Sequence, residues 1–218
     1  MNIKHHLTDP LLMAYSAGQL PEAFNLVVAT HVSLCDDCRA RLGSFDAIGG
    51  AMLATAEPVH LDDDALEVAL ARIADAPDDR PVPAAPPPAS RKDGLPQPLV
   101  AYIGGDLSAV KWRPIGMGVR QAVLPTSPEA QVRLLYIPAG VAVPDHGHRG
   151  MELTLVLQGA FRDASDRFGP GDIEVADEHM QHKPVAEAGD ACICLAATDA
   201  PLRFSGLIPK IAQSLFGI

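Results

Sequence analysis

Apolar positions recur at helical intervals over the first 76 residues and give way to short apolar runs after residue 98. The opening reads as a set of four helices. Thr8 or Asp9 can cap a short first helix that runs through Met13 and Ala17 and ends at Gly18. Pro21 takes a first-turn position, and FNLVVATHV carries a second helix down to His31. Asp36 and Asp37 favour the start of a third helix, which continues through Arg41, Phe45, Ile48 and Leu53. In LDDDALEVALARI, Leu66, Leu70 and Ile73 fall on one face of a fourth.

The pattern then breaks. Residues 77–98 are thick with proline, alanine and charge, a composition that favours extended polyproline II and buries little. They read as a semi-rigid linker that lets the two halves act semi-independently. Beyond it, VRLLYIPAGVAV, MELTLVLQGAF, DIEVA and ACICLAAT are runs of strand length punctuated by Gly, Pro and Asp. Many short strands with turn signals between them predict an antiparallel sandwich or barrel. The expected architecture is therefore multi-domain, α plus β: an all-α domain at 1–76, a linker at 77–98 and a β-barrel or jelly roll at 99–218.

Composition narrows the function classes. With 48% hydrophobic residues the 218-residue chain has material for a real core. A formal net charge of −10 argues against nucleic acid as a direct partner, because phosphate binding needs clustered Lys and Arg. No opening stretch reads as a signal peptide and no apolar run reaches bilayer length, so a cytoplasmic protein with no membrane partner is expected. The acidity concentrates at the front, where Lys4, Arg39, Arg41 and Arg72 face eleven carboxylates within residues 1–76. Asp62, Asp63 and Asp64 are either a solvated helix start or part of a surface that docks a basic protein.

Two constellations carry metal chemistry. The first is H-x3-C-x2-C at His31, Cys35 and Cys38. Thiolates two residues apart reach one ion from a single turn, and an imidazole one helical turn upstream supplies a third donor. This works if His31 closes one helix and Cys38 opens the next. A fourth ligand must come from elsewhere, with His5 and His6 as the nearby candidates. Two reduced thiols beside a helix-end histidine are the plain alternative.

The second is G-x5-H-x-H-x3-E-x6-G, running from Gly140 through His146, His148 and Glu152 to Gly159. On a strand, His146 and His148 share one face and can grip the same ion. Downstream, His182 follows a GPGD turn at the distance expected for a strand returning to the same pocket, whereas His179 stands at an odd offset. Three imidazoles and a carboxylate suit zinc, manganese, iron or nickel alike. Arg149, Arg162 and Glu174 lie near this motif with directions the sequence leaves open. Cys192 and Cys194, at i and i+2, read as small buried hydrophobes, with a redox pair as the alternative.

The G-x5-HxH-x3-E-x6-G run with its GPGD and His182 resembles the two conserved motifs of the cupin superfamily over residues 99–218. The block HHLTDPLLMAYSAGQLPEA…HVSLCDDCR is similar to the zinc-binding anti-sigma domain over residues 1–76. Together they give the arrangement of the ChrR-type anti-sigma factors. The resemblance implies a structural zinc held by His6, His31, Cys35 and Cys38, with His5 as substitute for His6. It implies zinc or another divalent transition metal on His146, His148, Glu152 and His182. It also implies an extracytoplasmic-function sigma factor as the partner, hidden by the helical domain and released when the cupin responds to an oxidant such as singlet oxygen. Such a protein is a transcription regulator with no catalytic residues. A metal-dependent cupin enzyme of dioxygenase or isomerase type, carrying an accessory zinc module, is the alternative from another class. A zinc-dependent DNA binder is disfavoured by the acidic balance.

Overall fold

The computed structural model describes residues 2–76, 95–147, 149–200 and 203–204. Most of the linker (77–94) and His148 lie outside the described residues. The helices are α1 (Asp9–Ser16), α2 (Glu22–Leu34), α3 (Asp36–Ala54), α4 (Ala65–Asp75) and α5 (Gln97–Ile103). The strands are β1 (Arg113–Gly116), β2 (Val119–Leu124), β3 (Gln131–Ile137), β4 (His146–Gly147), β5 (Glu152–Gln158) and β6 (Phe161–Arg162). They continue as β7 (Arg167–Phe168), β8 (Ile173–Ala176), β9 (Gln181–His182), β10 (Val185–Ala186), β11 (Cys192–Thr198) and β12 (Arg203–Phe204). Helices at the front and β-structure behind follow the sequence pattern. None of the described helices is long and apolar enough to cross a membrane.

The described residues fall into two compact units, one of Met1–Ala47 with Leu95–Ile218, the other of Ile48–Gly94. Compactness and motif content thus divide the chain at different places. In the first unit a six-stranded sheet runs β1-β2-β3-β11-β5-β8, with three-stranded sheets β10-β6-β7 and β12-β4-β9. Every pairing is antiparallel. Side chains alternate between the two faces of the large sheet. Leu134, Leu153, Leu155 and Leu195 join one apolar cluster with Phe24, Val27 and Val28 of α2. Ile137, Val156, Cys192 and Cys194 join a second cluster with Phe161 and Phe168.

Helix α2 packs against β3, β5 and β11 as well as α1 and α5. Its Ala23, Phe24, Leu26, Val27, Val28, Thr30 and His31 are all buried, an arc somewhat wider than half the circumference. So wide a buried arc needs partners on more than one side, and the sheet supplies those that a small helical module lacks. Expected semi-independence of the halves therefore does not extend to residues 1–47, which share a core with the sheet. Pro21 sits at the N-cap of α2, one residue earlier than the first turn.

The second unit contrasts with this. Residues Ile48, Met52, Leu53, Val59, Leu61, Leu66, Val68, Leu70 and Ile73 are between 41% and 85% exposed. The helix at LDDDALEVALARI forms as α4, yet its Leu66, Leu70 and Ile73 face is open to water.

Candidate metal centres

Local sequence builds the first centre. Helix α2 carries His31 in its last turn, Cys35 is the C-cap, and α3 begins at Asp36, so Cys38 lies in the next first turn. His31, Cys35 and Cys38 are buried. His6 arrives from the segment before α1, with Nδ1 3.2 Å from Cys35 Sγ and 3.8 Å from Cys38 Sγ. His31 Nε2 lies 3.3 Å from Cys38 Sγ. All four donor atoms fall within 4.8 Å of one another.

That set fits zinc. A tetrahedral ion with bonds of about 2.0–2.3 Å separates its donors by roughly 3.3–3.8 Å, and two sulfurs with two ring nitrogens are a usual closed shell. Surrounding groups orient the donors. His31 Nδ1 donates to the Gly171 carbonyl at 3.0 Å, which turns Nε2 toward the thiols. The Cys38 amide donates to Cys35 Sγ at 3.4 Å. Arg41, held by Asp9, places a guanidinium nitrogen 4.0 Å from Cys38 Sγ. Burial pushes the His31 imidazole down to about 4 and the Cys38 thiol up to about 11. A divalent cation suits a neutral imidazole and reverses the thiol preference, because thiols bind as thiolates.

His5 turns elsewhere. Its Nε2 lies 3.1 Å from Asp166 and its ring packs 4.3 Å from that of Phe168. Adjacent residues in an extended segment point to opposite sides, and the structure brings His6 to the thiols.

The second centre is assembled by strand pairing. His146 of β4 and His182 of β9 are directly opposed across an antiparallel pair. Their Nε2 atoms are 3.1 Å apart, and Glu152, at the start of β5, completes a cluster within 4.8 Å. All three are buried. His146 Nδ1 donates to the Pro144 carbonyl at 2.8 Å. His182 Nδ1 faces Glu174 at 3.1 Å and Asp163 at 3.5 Å. Both rings are therefore anchored at Nδ1 and present Nε2 inward, the usual arrangement of ligating histidines. This donor set fits a transition metal of borderline softness, zinc among them. Burial lowers His146. Burial alone would also lower His182, but Glu174, Glu152 and Asp163 outweigh it and raise that ring. His179 is exposed beside Glu178. The last residue of the motif also has a packing reason: Gly159 has φ +68°, and a Cβ there would stand 2.6 Å from the Ala191 carbonyl.

The sequence left three participants unplaced. Glu174 was visible without a direction, Asp163 carried no signal beyond being a carboxylate near the GPGD turn, and Asp172 was legible as the last residue of that turn but not as a partner of the segment before α1. Cys192 and Cys194 are wholly buried with sulfurs 3.4 Å apart, as small interior residues.

Known proteins of similar sequence and structure identify the family. Residues 101–201 match the family described as the ChrR cupin-like domain. The anti-sigma-E factor ChrR of Cereibacter sphaeroides is 58% identical over 219 residues, covering 100% of both chains. The chain belongs to the ChrR family of anti-sigma factors. A crystal structure of Rhodobacter sphaeroides SigE in complex with the anti-sigma ChrR is also similar, at 56% identity and a TM-score of 0.76. That match covers 91% of the present chain and 100% of the other.

Proposed function

We propose that this chain sequesters an extracytoplasmic-function sigma factor through residues 1–76, with zinc on His6, His31, Cys35 and Cys38 holding that region in shape. The observation that carries the reading is the open apolar surface of the second compact unit. Nine large hydrophobics within residues 48–73 are exposed, against three among the other described residues. Patches of this kind mark protein interfaces. Asp62, Asp63, Asp64 and Glu67 lie beside Leu66 and Leu70, which suits a basic partner such as a DNA-binding sigma domain. A relative crystallised with a sigma factor supports the same partner.

The cupin-like region, residues 99–218, is then the sensor, and the chain works by binding rather than by turnover. His146, Glu152 and His182, with His148, would hold zinc or another divalent transition metal, and an oxidant such as singlet oxygen acting on this region would release the sigma factor. A cytoplasmic site of action follows from that partner.

Co-expression of the full chain with an extracytoplasmic-function sigma factor of the same genome tests the reading. A stoichiometric, zinc-containing complex is expected. Its loss in the combined Leu66→Asp, Leu70→Asp and Ile73→Asp variant would place the interface on α4. A folded, zinc-loaded chain with no affinity for the sigma factor would overturn the proposal.

A further inference from the structure

We infer that the Gly169–Asp172 turn, which leads into β8, is a positioning element of the zinc centre, so that the cupin-like sheet helps to set how firmly the helical region keeps its metal. This rests on the zinc reading above and goes beyond it. Two ligands of the centre are held from this one turn. The buried Nδ1 of His31 donates to the Gly171 carbonyl across 140 residues of sequence. Residue Asp172, only 4% exposed, accepts the backbone amides of Lys4 at 2.6 Å and His5 at 3.0 Å.

The second grip is the less expected one. Those amides sit one and two residues before His6, so Asp172 fixes the backbone that delivers the first zinc ligand. The other Asp172 oxygen accepts the Gly169 amide at 2.8 Å, which ties the carboxylate into its own turn. The Ile173 amide adds a bond to the His5 carbonyl at 3.4 Å. His5 is clamped on the same side by Asp166 and Phe168. The segment before α1 is thus docked at four residues of the sheet region, Asp166, Phe168, Asp172 and Ile173, and Gly171 has φ +89°, a conformation that glycine adopts without strain. Buried carboxylates that accept two or three amides are rigid, directional anchors, and partners one step outside a metal's ligands tune its affinity by roughly 10- to 100-fold.

The same strand reaches the other centre. Glu174, two residues beyond Asp172, holds His182 by Nδ1. A rearrangement around His182 therefore has a route of two residues to the anchor of His6 and His31.

The test uses the full chain loaded with cobalt(II) in place of zinc. Sulfur-to-cobalt charge-transfer absorption reports the first centre alone, since the second has no thiol among its candidate donors. Asp172→Asn keeps the shape and removes the charge. The expected result is a weakened charge-transfer band and loss of zinc to a competing chelator about 10- to 100-fold more readily, at an unchanged melting profile of the β-structure. Arg162→Ala, at an exposed ion pair, serves as the control and should match the unsubstituted chain. Equal metal retention by Asp172→Asn and the unsubstituted chain would overturn the inference and leave the zinc reading standing. Absence of the charge-transfer band in the unsubstituted chain would overturn both. Hydrogen exchange provides an independent arm should Asp172→Asn fold poorly. The Lys4 and His5 amides must be protected in the unsubstituted chain, and exchange at unfolded rates would overturn the inference.

Discussion

His31 makes the metal-free protein acid-sensitive, and the size of the effect follows from its burial. The ring is fully enclosed, facing His6, Cys35, Cys38, the Gly171 carbonyl and Asp172, and burial pushes it from 6.5 down to about 4. The unfolded chain therefore takes the proton first. Stability is complete above about pH 6.5, falls as pH drops toward 4 and loses nothing further from this group below that. One pKa unit is worth about 1.4 kcal/mol, so the total is roughly 3 kcal/mol, of which about 2 is gone by pH 4.5. Urea unfolding of the chelator-treated chain at pH 7 and about pH 4.5 measures the loss. The same pair of measurements on His31→Gln removes it while cancelling the carboxylates common to both. An acid-induced loss about 2 kcal/mol smaller in His31→Gln is expected. Equal losses in the two proteins would refute the argument, because they would mean that His31 protonates in the folded state as easily as in water. With zinc on Nε2, acid must first displace the ion, so the loaded protein should hold its stability to lower pH.

Other outcomes can be checked with the same material. Leu70→Asp or Ile73→Asp, on the open face of α4, should weaken sigma binding in a pull-down while changing urea stability by no more than about 0.5 kcal/mol. Cys38→Ser removes a buried donor and should abolish the cobalt charge-transfer band together with sigma binding. Glu174→Gln should lower metal affinity of the second centre about 10- to 100-fold by calorimetry, with the first centre's absorption retained. Chelation of the unsubstituted chain should loosen the segment before α1 first, seen as faster exchange at Lys4 and His5.

Local spacing made much of this legible. His31, Cys35 and Cys38 are four and three residues apart, and the helix break between α2 and α3 acts over that same distance, so one turn and one cap specify three donors. His146 and His182 were legible as strand residues after turns, although their direct opposition depends on a register that no short motif encodes. The choice between His5 and His6 was not readable, because the contacts that separate them come from Asp166, Phe168 and Asp172, distant in sequence, and the GPGD turn does not say what its carboxylate will hold. The packing of α2 on the sheet was half visible. FNLVVATHV is apolar beyond the width of one helix face, which signals a second partner without naming it. Exposure of Leu66, Leu70 and Ile73 was invisible, since an amphipathic stripe reads the same whether its partner lies in the chain or in another protein.

The enclosure of α2 bears on how the proposed sensor region would act on the helices. Val27 and Val28 are wholly buried and Leu26 and Phe24 nearly so, each worth roughly 1.5–3 kcal/mol when removed from water. Small displacements of the sheet from such a helix lose packing without admitting solvent, and close-packed interfaces resist partial opening. Helix and sheet therefore part as a unit or not at all. Under the proposed function, an anti-sigma factor built this way would respond with a threshold, staying silent under weak provocation and yielding over a narrow interval once it is passed.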